Sequence, residues 1–207
     1  MFEIKYRIVE DIKELLLLTP EVFDDDFNDF EGQIELNFNG NKIGYVFEGK
    51  ISEEMFKVGC FQDEWVILWF THLIQAVKLL RKNNYLIFSE IECSDWIDLT
   101  KLGDSIKVRE LRQIPYNIKN FKYGGTPAMS VTPLCAEIVL NTGETFTKDV
   151  EMETTDFVES FISYTEFEQE VKRKSMMLLN EIRDVFPNLI NSKSIKEFKE
   201  LVYDIDD

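Results

Sequence analysis

Residues 32–49 read GQIELNFNGNKIGYVFEG, and the reading of this stretch decides the fold. Two runs of alternating apolar and polar residues flank Asn39-Gly40-Asn41. Asn-Gly supplies the positive φ values that a tight two-residue turn needs, so the stretch predicts a β-hairpin and hence an antiparallel sheet. Upstream, FEIKYRIV (2–9) alternates in the same way and predicts a further strand. Residues 11–18 predict a short helix stopped by Thr19-Pro20. Downstream, QDEWVILWFTHLIQAVKLLRK (62–82) predicts the main helix, apolar over most of its circumference, with acids first and bases last to suit the helix dipole.

Three strands then form an expected meander: YLIFSEIE, SDWIDLTKLG and DSIKVRELRQI, with a tight turn at Gly103-Asp104. Residues 115–135, rich in Pro, Gly and Thr, read as a long loop or subdomain joint. AEIVL and TFTKDVEM around Asn141-Thr142-Gly143 predict a second hairpin. From Thr155 the pattern turns helical. Thr165 with Glu168, and Ser194 with Glu197, fit capping boxes for the last two helices, the first of which ends at Pro187. Strand runs and helix runs without regular alternation give an α+β fold. The expectation is one domain over residues 1–207, an antiparallel sheet with the 62–82 helix and the C-terminal helices packed on it.

The chain has 207 residues and a formal charge of −16, with 44% hydrophobic residues and 17 phenylalanines. A buried core is therefore affordable, and the composition hints at an AT-rich bacterial genome. The acid sits towards the ends: residues 1–50 carry 12 acids against 5 bases, whereas residues 101–150 carry 5 against 7. Such a field repels nucleic acid and anionic lipid and favours basic protein surfaces. The start of the chain lacks a signal-peptide shape, and its most apolar segment is too short to span a bilayer. Cys60, Cys93 and Cys135 are odd in number and far apart, so neither a disulfide framework nor a zinc site is expected, and the cytoplasm is the expected compartment.

The densest acid is DDDFNDFEGQIE, Asp24 to Glu35. Asp24, Asp26, Asn28 and Glu35 match the oxygen positions of a calcium loop, but its obligatory glycine is Asp29 here and no helix leads out. The spacing of Phe23, Phe27 and Phe30 suits one helical face turned inward. Asp24, Asp25, Asp26 and Asp29 are then expected mainly outside and, with Glu31, form an acidic face for a basic partner, with the tail Asp204, Asp206 and Asp207 a further candidate for that face. His72, the single histidine, reads as a hydrogen-bonded core residue and rules out a multi-histidine metal site. Glu90 and Glu92 read as the solvent side of a strand, and Asp95 and Asp98 as neighbours of a turn around Trp96. Lys107, Arg109, Arg112, Lys119 and Lys122 read as a solvated face.

The FNGNKIGYVFEG hairpin, the Trp-rich helix DEWVILWFTHLIQAVKLL and the meander YLIFSEIECSDWIDLTKLGDSIKV together resemble small bacterial proteins of unknown function and immunity proteins of polymorphic toxin systems. That resemblance covers roughly residues 30–112. It implies an acidic, non-enzymatic protein that neutralises a toxin by covering its active site, without catalytic residue, cofactor or metal. An enzyme or small-ligand protein with its site near 115–135 and Asp95/Asp98 is the alternative, and a homo-oligomer or assembly subunit is the third.

Overall fold

A computed structural model describes residues 1–52, 64–89, 95–113, 139–140 and 152–206. The fold is α+β, with two antiparallel sheets and five α-helices among these residues. The expected 115–135 joint, the three cysteines, Glu90, Glu92 and Asp207 lie outside them.

The first sheet is built on β2 (Glu31–Phe38). β1 (Phe2–Ile8) pairs along its whole length, and the opposite edge is shared by β3 (Asn41–Gly44) and β4 (Glu64–Trp65). The Asn-Gly turn forms as the sequence requires. Phe38 pairs with Asn41, and Asn39 and Gly40 both take positive φ, 57° and 99°. β3 is shorter than its alternating pattern suggested because Gly44, at φ 69°, turns the chain off the ladder. Residues 45–49 then fold over the outer face of β2. Phe47 N–H donates to Gln33 Oε1 (3.0 Å), and Arg7 donates to the carbonyls of Phe47 (2.9 Å) and Gly49 (2.8 Å). β2 is thereby buried on both faces.

The second sheet runs β10-β7-β6-β5-β8. β5 (Tyr85–Ser89), β6 (Asp95–Leu102) and β7 (Ser105–Gln113) are the expected meander, with Gly103 at φ 63° in its turn. The second hairpin lies almost wholly outside the described residues, which hold only its Val139, Leu140 and Met152. β8 (Val139–Leu140) pairs with β5, whereas β9 (Met152–Thr154) pairs with β7 across the sheet. β7 has room for both β9 and β10 (Ser160–Ser163) because they occupy opposite ends of its free edge.

Between and around the sheets pack α3 (Val66–Leu80), α4 (Tyr164–Val185) and α5 (Lys193–Tyr203); α1 (Ile12–Leu15) and α2 (Pro20–Val22) are short. Both expected capping boxes are displaced by two residues. Ser163 accepts from Glu166 N–H and Ser192 from Ile195 N–H, so α4 and α5 start before Thr165 and Ser194. One hydrophobic core joins both sheets and α3, α4 and α5. Fully burying each such large apolar side chain contributes about 1.5–3 kcal/mol.

α3 is the central element. Val66, Ile67, Trp69, Phe70, Leu73, Ile74, Ala76, Val77 and Leu80 are all buried, so it presents no single apolar stripe. It passes close to β2 at Gly32, where a Cβ would collide with the Arg7 carbonyl oxygen and lie 2.6 Å from Val66 Cγ2. His72 is fully buried on this helix, edge-on to Phe88 at 6.1 Å. The hydrogen-bonded core histidine expected from the sequence is therefore corrected in one respect: neither ring nitrogen has a hydrogen-bond partner among the described residues. Burial lowers its pKa to about 4.

Because His72 stays neutral in the fold while the unfolded chain takes up a proton below about pH 6.5, its contribution to stability is intact above that pH and declines towards pH 4. His72→Leu is expected to remove this part of the pH slope and to gain more stability at pH 5 than at pH 8, with about 1–3 kcal/mol at stake in the unsatisfied ring nitrogens. Urea unfolding across pH 4–8 measures it; an unchanged slope contradicts it.

Candidate functional site

The acidic stretch folds as a clamp on two helices. Phe23–Phe27 forms one π-helical turn, closed by Asn28 N–H donating to the Phe23 carbonyl (2.6 Å) with Asn28 in the left-handed region. Phe23 and Phe30 are fully buried and Phe27 packs beside them. The Phe23 ring lies 5.1 Å from that of Phe30, which lies 5.1 Å from Phe186 at the end of α4. The inward aromatic face is as the spacing predicts.

The acids divide into two sets. Asp29, expected outside, is only 5% exposed. Its Oδ1 accepts from the N–H groups of Phe30 (2.6 Å) and Ile67 (2.7 Å), and its Oδ2 from Leu68 (2.8 Å). Trp65, at the N-cap of α3, makes no side-chain cap, so a carboxylate from a distant part of the chain supplies it. Val66 N–H donates to the Phe30 carbonyl (3.0 Å), which completes the first turn. Burial pushes the Asp29 pKa up to about 7, against the pull of its three N–H donors.

Asp24 does the same for α5. It accepts from the N–H groups of Lys193 (2.6 Å) and Ser194 (3.1 Å) and from the Ser194 hydroxyl (3.1 Å). Partial burial acts to raise its pKa, but these donors outweigh it and the carboxyl sits below its ordinary value. Asp25, Asp26 and Glu31 remain exposed. Glu10 adds to the same neighbourhood: its Oε1 accepts from Glu31 N–H (2.9 Å), and burial, reinforced by the Glu31 and Asp29 charges, pushes it up to about 7. Asp204 caps the opposite end of α5 from Asp24, about 17 Å away for an 11-residue helix. Asp206 follows it in a 3₁₀ turn, so this part of the acidic tail does not join the patch.

The other expected candidates are structural. Asp95 and Asp98 lie within β6, not at a turn, each opposite an arginine of β7. Asp98 is fully buried and accepts from Tyr85 Oη (2.8 Å) and Arg109 Nη2 (3.0 Å); Asp95 pairs with Arg112 (2.6 Å). Lys107 pairs with Glu159 (3.5 Å). Glu35, the twelfth position of the supposed calcium loop, is on β2 with Lys42 at 3.0 Å. No cluster able to hold a metal, and no helix long and apolar enough to cross a membrane, occurs among the described residues.

Two surface features were not read from the sequence. One is apolar exposure beside the acid: Ile12 (51%), Leu16 (45%), Leu17 (85%) and Val22 (39%) stand out within eleven residues. Exposed Asp11, Glu14, Glu21, Asp25, Asp26 and Glu31 surround them in the chain, with Lys13 the single cation between 11 and 31. The signal was present in the uninterrupted run Leu15–Leu18, of which only Leu15 enters the core in full. The other is a groove of about 570 Å³ between the N-terminal part of α3 and the length of α5, with Asn28 and Asp29 among its lining residues. No protein-family model matches the chain, and no curated protein or solved structure is significantly similar to it.

The division of the acids is measurable by stability. Asp29→Ala leaves buried N–H groups unpaired and is expected to cost about 3 kcal/mol, Asp24→Ala about 1 kcal/mol, and Asp25→Ala with Asp26→Ala less than about 0.5 kcal/mol. Urea unfolding at pH 7 checks the ranking, and equal effects at all four positions contradict it.

Proposed function

We propose that this protein is a non-enzymatic binding protein of the immunity or inhibitor kind, which meets a basic protein partner through the face carried by residues 11–31. The observation that supports this reading most is the coincidence of four exposed large apolar side chains with six exposed carboxylates in that one segment. Exposed apolar surface provides the area an interface buries, and surplus charge of one sign speeds the encounter and selects the partner's charge. A cytoplasmic setting, where basic nucleases act, suits such a protein.

The test is capture of a basic protein by the immobilised chain, followed by association kinetics with the purified partner. Reversing Asp25, Asp26 and Glu31 to lysine is expected to slow association about tenfold or more, and raised salt to slow the wild type likewise. Leu17→Asp is expected to speed dissociation instead. A rate unmoved by both charge reversal and salt contradicts the proposal.

A further inference from the structure

The run Leu15–Leu18 is sorted by the fold into two kinds of leucine. Leu15 is buried in the core and Leu18 packs against it, whereas Leu16 and Leu17 face solvent. Leu17, at 85%, is the most exposed large apolar side chain among the described residues.

The turn that carries it is tied down from both directions. Its successive N–H groups are bonded: Leu16 donates to the Ile12 carbonyl (3.0 Å), Leu17 to that of Glu14 (2.9 Å) and Leu18 to that of Leu15 (3.2 Å). Thr19 then caps α2 and Pro20 opens it, which fixes the direction in which the chain leaves. From behind, the Asn188 side-chain amide donates to the carbonyls of Leu15 (2.9 Å) and Leu18 (2.9 Å), one on each side of the exposed pair. Asn188 lies two residues beyond Phe186, which is buried against Phe30, so the turn is fastened to the end of α4. A side chain presented on a backbone already ordered loses little freedom on binding, which favours affinity.

The charges around Leu17 indicate what it enters. Glu14, whose carbonyl accepts from Leu17 N–H, and Glu21 in the first turn of α2 are both exposed, as are Asp25 and Asp26 beyond them. Lys13 is the single cation between residues 11 and 31. A second copy of this chain would set these acids against one another, and an anionic lipid surface would be repelled. A pocket edged by cations is complementary to both the leucine and its surroundings.

We infer that Leu17 is the anchor of the interface, that it enters an apolar pocket edged by lysine or arginine on the partner, and that Asn188 is the positioning residue that presents it. The inference rests on the binding-protein reading and names the side chain by which the partner is held.

The probe is β-cyclodextrin carrying ammonium groups on one rim, an apolar cavity edged by cations, titrated into the ¹³C,¹⁵N-labelled full chain with its carboxylated counterpart as control. The expected result is a saturable shift of the Leu17 methyl groups, with binding at least about fivefold weaker for the carboxylated form. Leu17→Ala removes only an exposed side chain and is expected to weaken the ammonium form about tenfold, read from the Leu16 amide. Asn188→Ala is expected to raise the picosecond-to-nanosecond mobility of the Leu16 and Leu17 amides and to weaken the same probe about three- to fivefold, with the Ile67 and Leu68 amides unmoved. A residue that served stability alone would lower the melting temperature and move neither. No saturable shift at Leu17, equal affinity for the two cyclodextrins, or an Asn188→Ala chain with unchanged mobility and affinity overturns the inference. A captured basic partner separates it from the broader reading: association slowed by reversal of Asp25, Asp26 and Glu31, with dissociation unchanged by Leu17→Ala, leaves the proposed function standing and removes the anchor.

Discussion

The Asp29 carboxylate sets the position of α3, and α3 sets the position of nearly everything else. A helix that starts inside the protein leaves its first N–H groups without water, and leaving them unpaired costs about 1–3 kcal/mol each. Here Ile67 and Leu68 give theirs to Asp29 and Val66 gives its own to Phe30, so the residues just before β2 close the helix. The following strand then runs past α3 at Gly32, where only hydrogen fits against Val66. From that fixed start the helix carries its buried circumference between the two sheets and against α4 and α5.

This arrangement explains why a crowded run of acids is tolerable. Helix N-termini carry partial positive charge, so two carboxylates placed on two N-termini offset the repulsion that Asp24, Asp25, Asp26 and Asp29 exert on one another. The structural acids and the surface acids have different consequences for binding. Asp25, Asp26 and Glu31 project their charge into solvent, whereas Asp24 and Asp29 hold rigid the surface from which that charge projects. The exposed apolar side chains of residues 12–22 lie just before this clamp in the chain.

Much of the fold was legible because its signals are local. Asn39-Gly40 dictates its own turn, the Phe23–Phe27–Phe30 spacing points one way whatever lies beneath it, and the alternation in 85–113 needs only neighbouring strands. The misreadings came where the deciding partner is remote in sequence. Asp29 looks like its neighbours until Ile67 and Leu68 are brought to it. Asp98 looks like a turn residue until Arg109 and Tyr85 flank it in the sheet. Ser163 and Ser192 win the capping positions over Thr165 and Ser194 because β10 delivers the chain to α4 at Ser163 and Asp24 engages Ser194 at the start of α5. The groove has residues from three separated segments, so no window of sequence could display it.

The most direct measurement is the titration of the Asp29 carboxyl carbon by NMR, followed together with the amide protons of Ile67 and Leu68. A buried carboxylate that closes α3 titrates with a midpoint of about 7, and both amides move with the same midpoint because they donate to it. A midpoint near the ordinary aspartate value of about 4, with the two amides unresponsive, would mean that Asp29 lies in solvent and that the clamp does not exist.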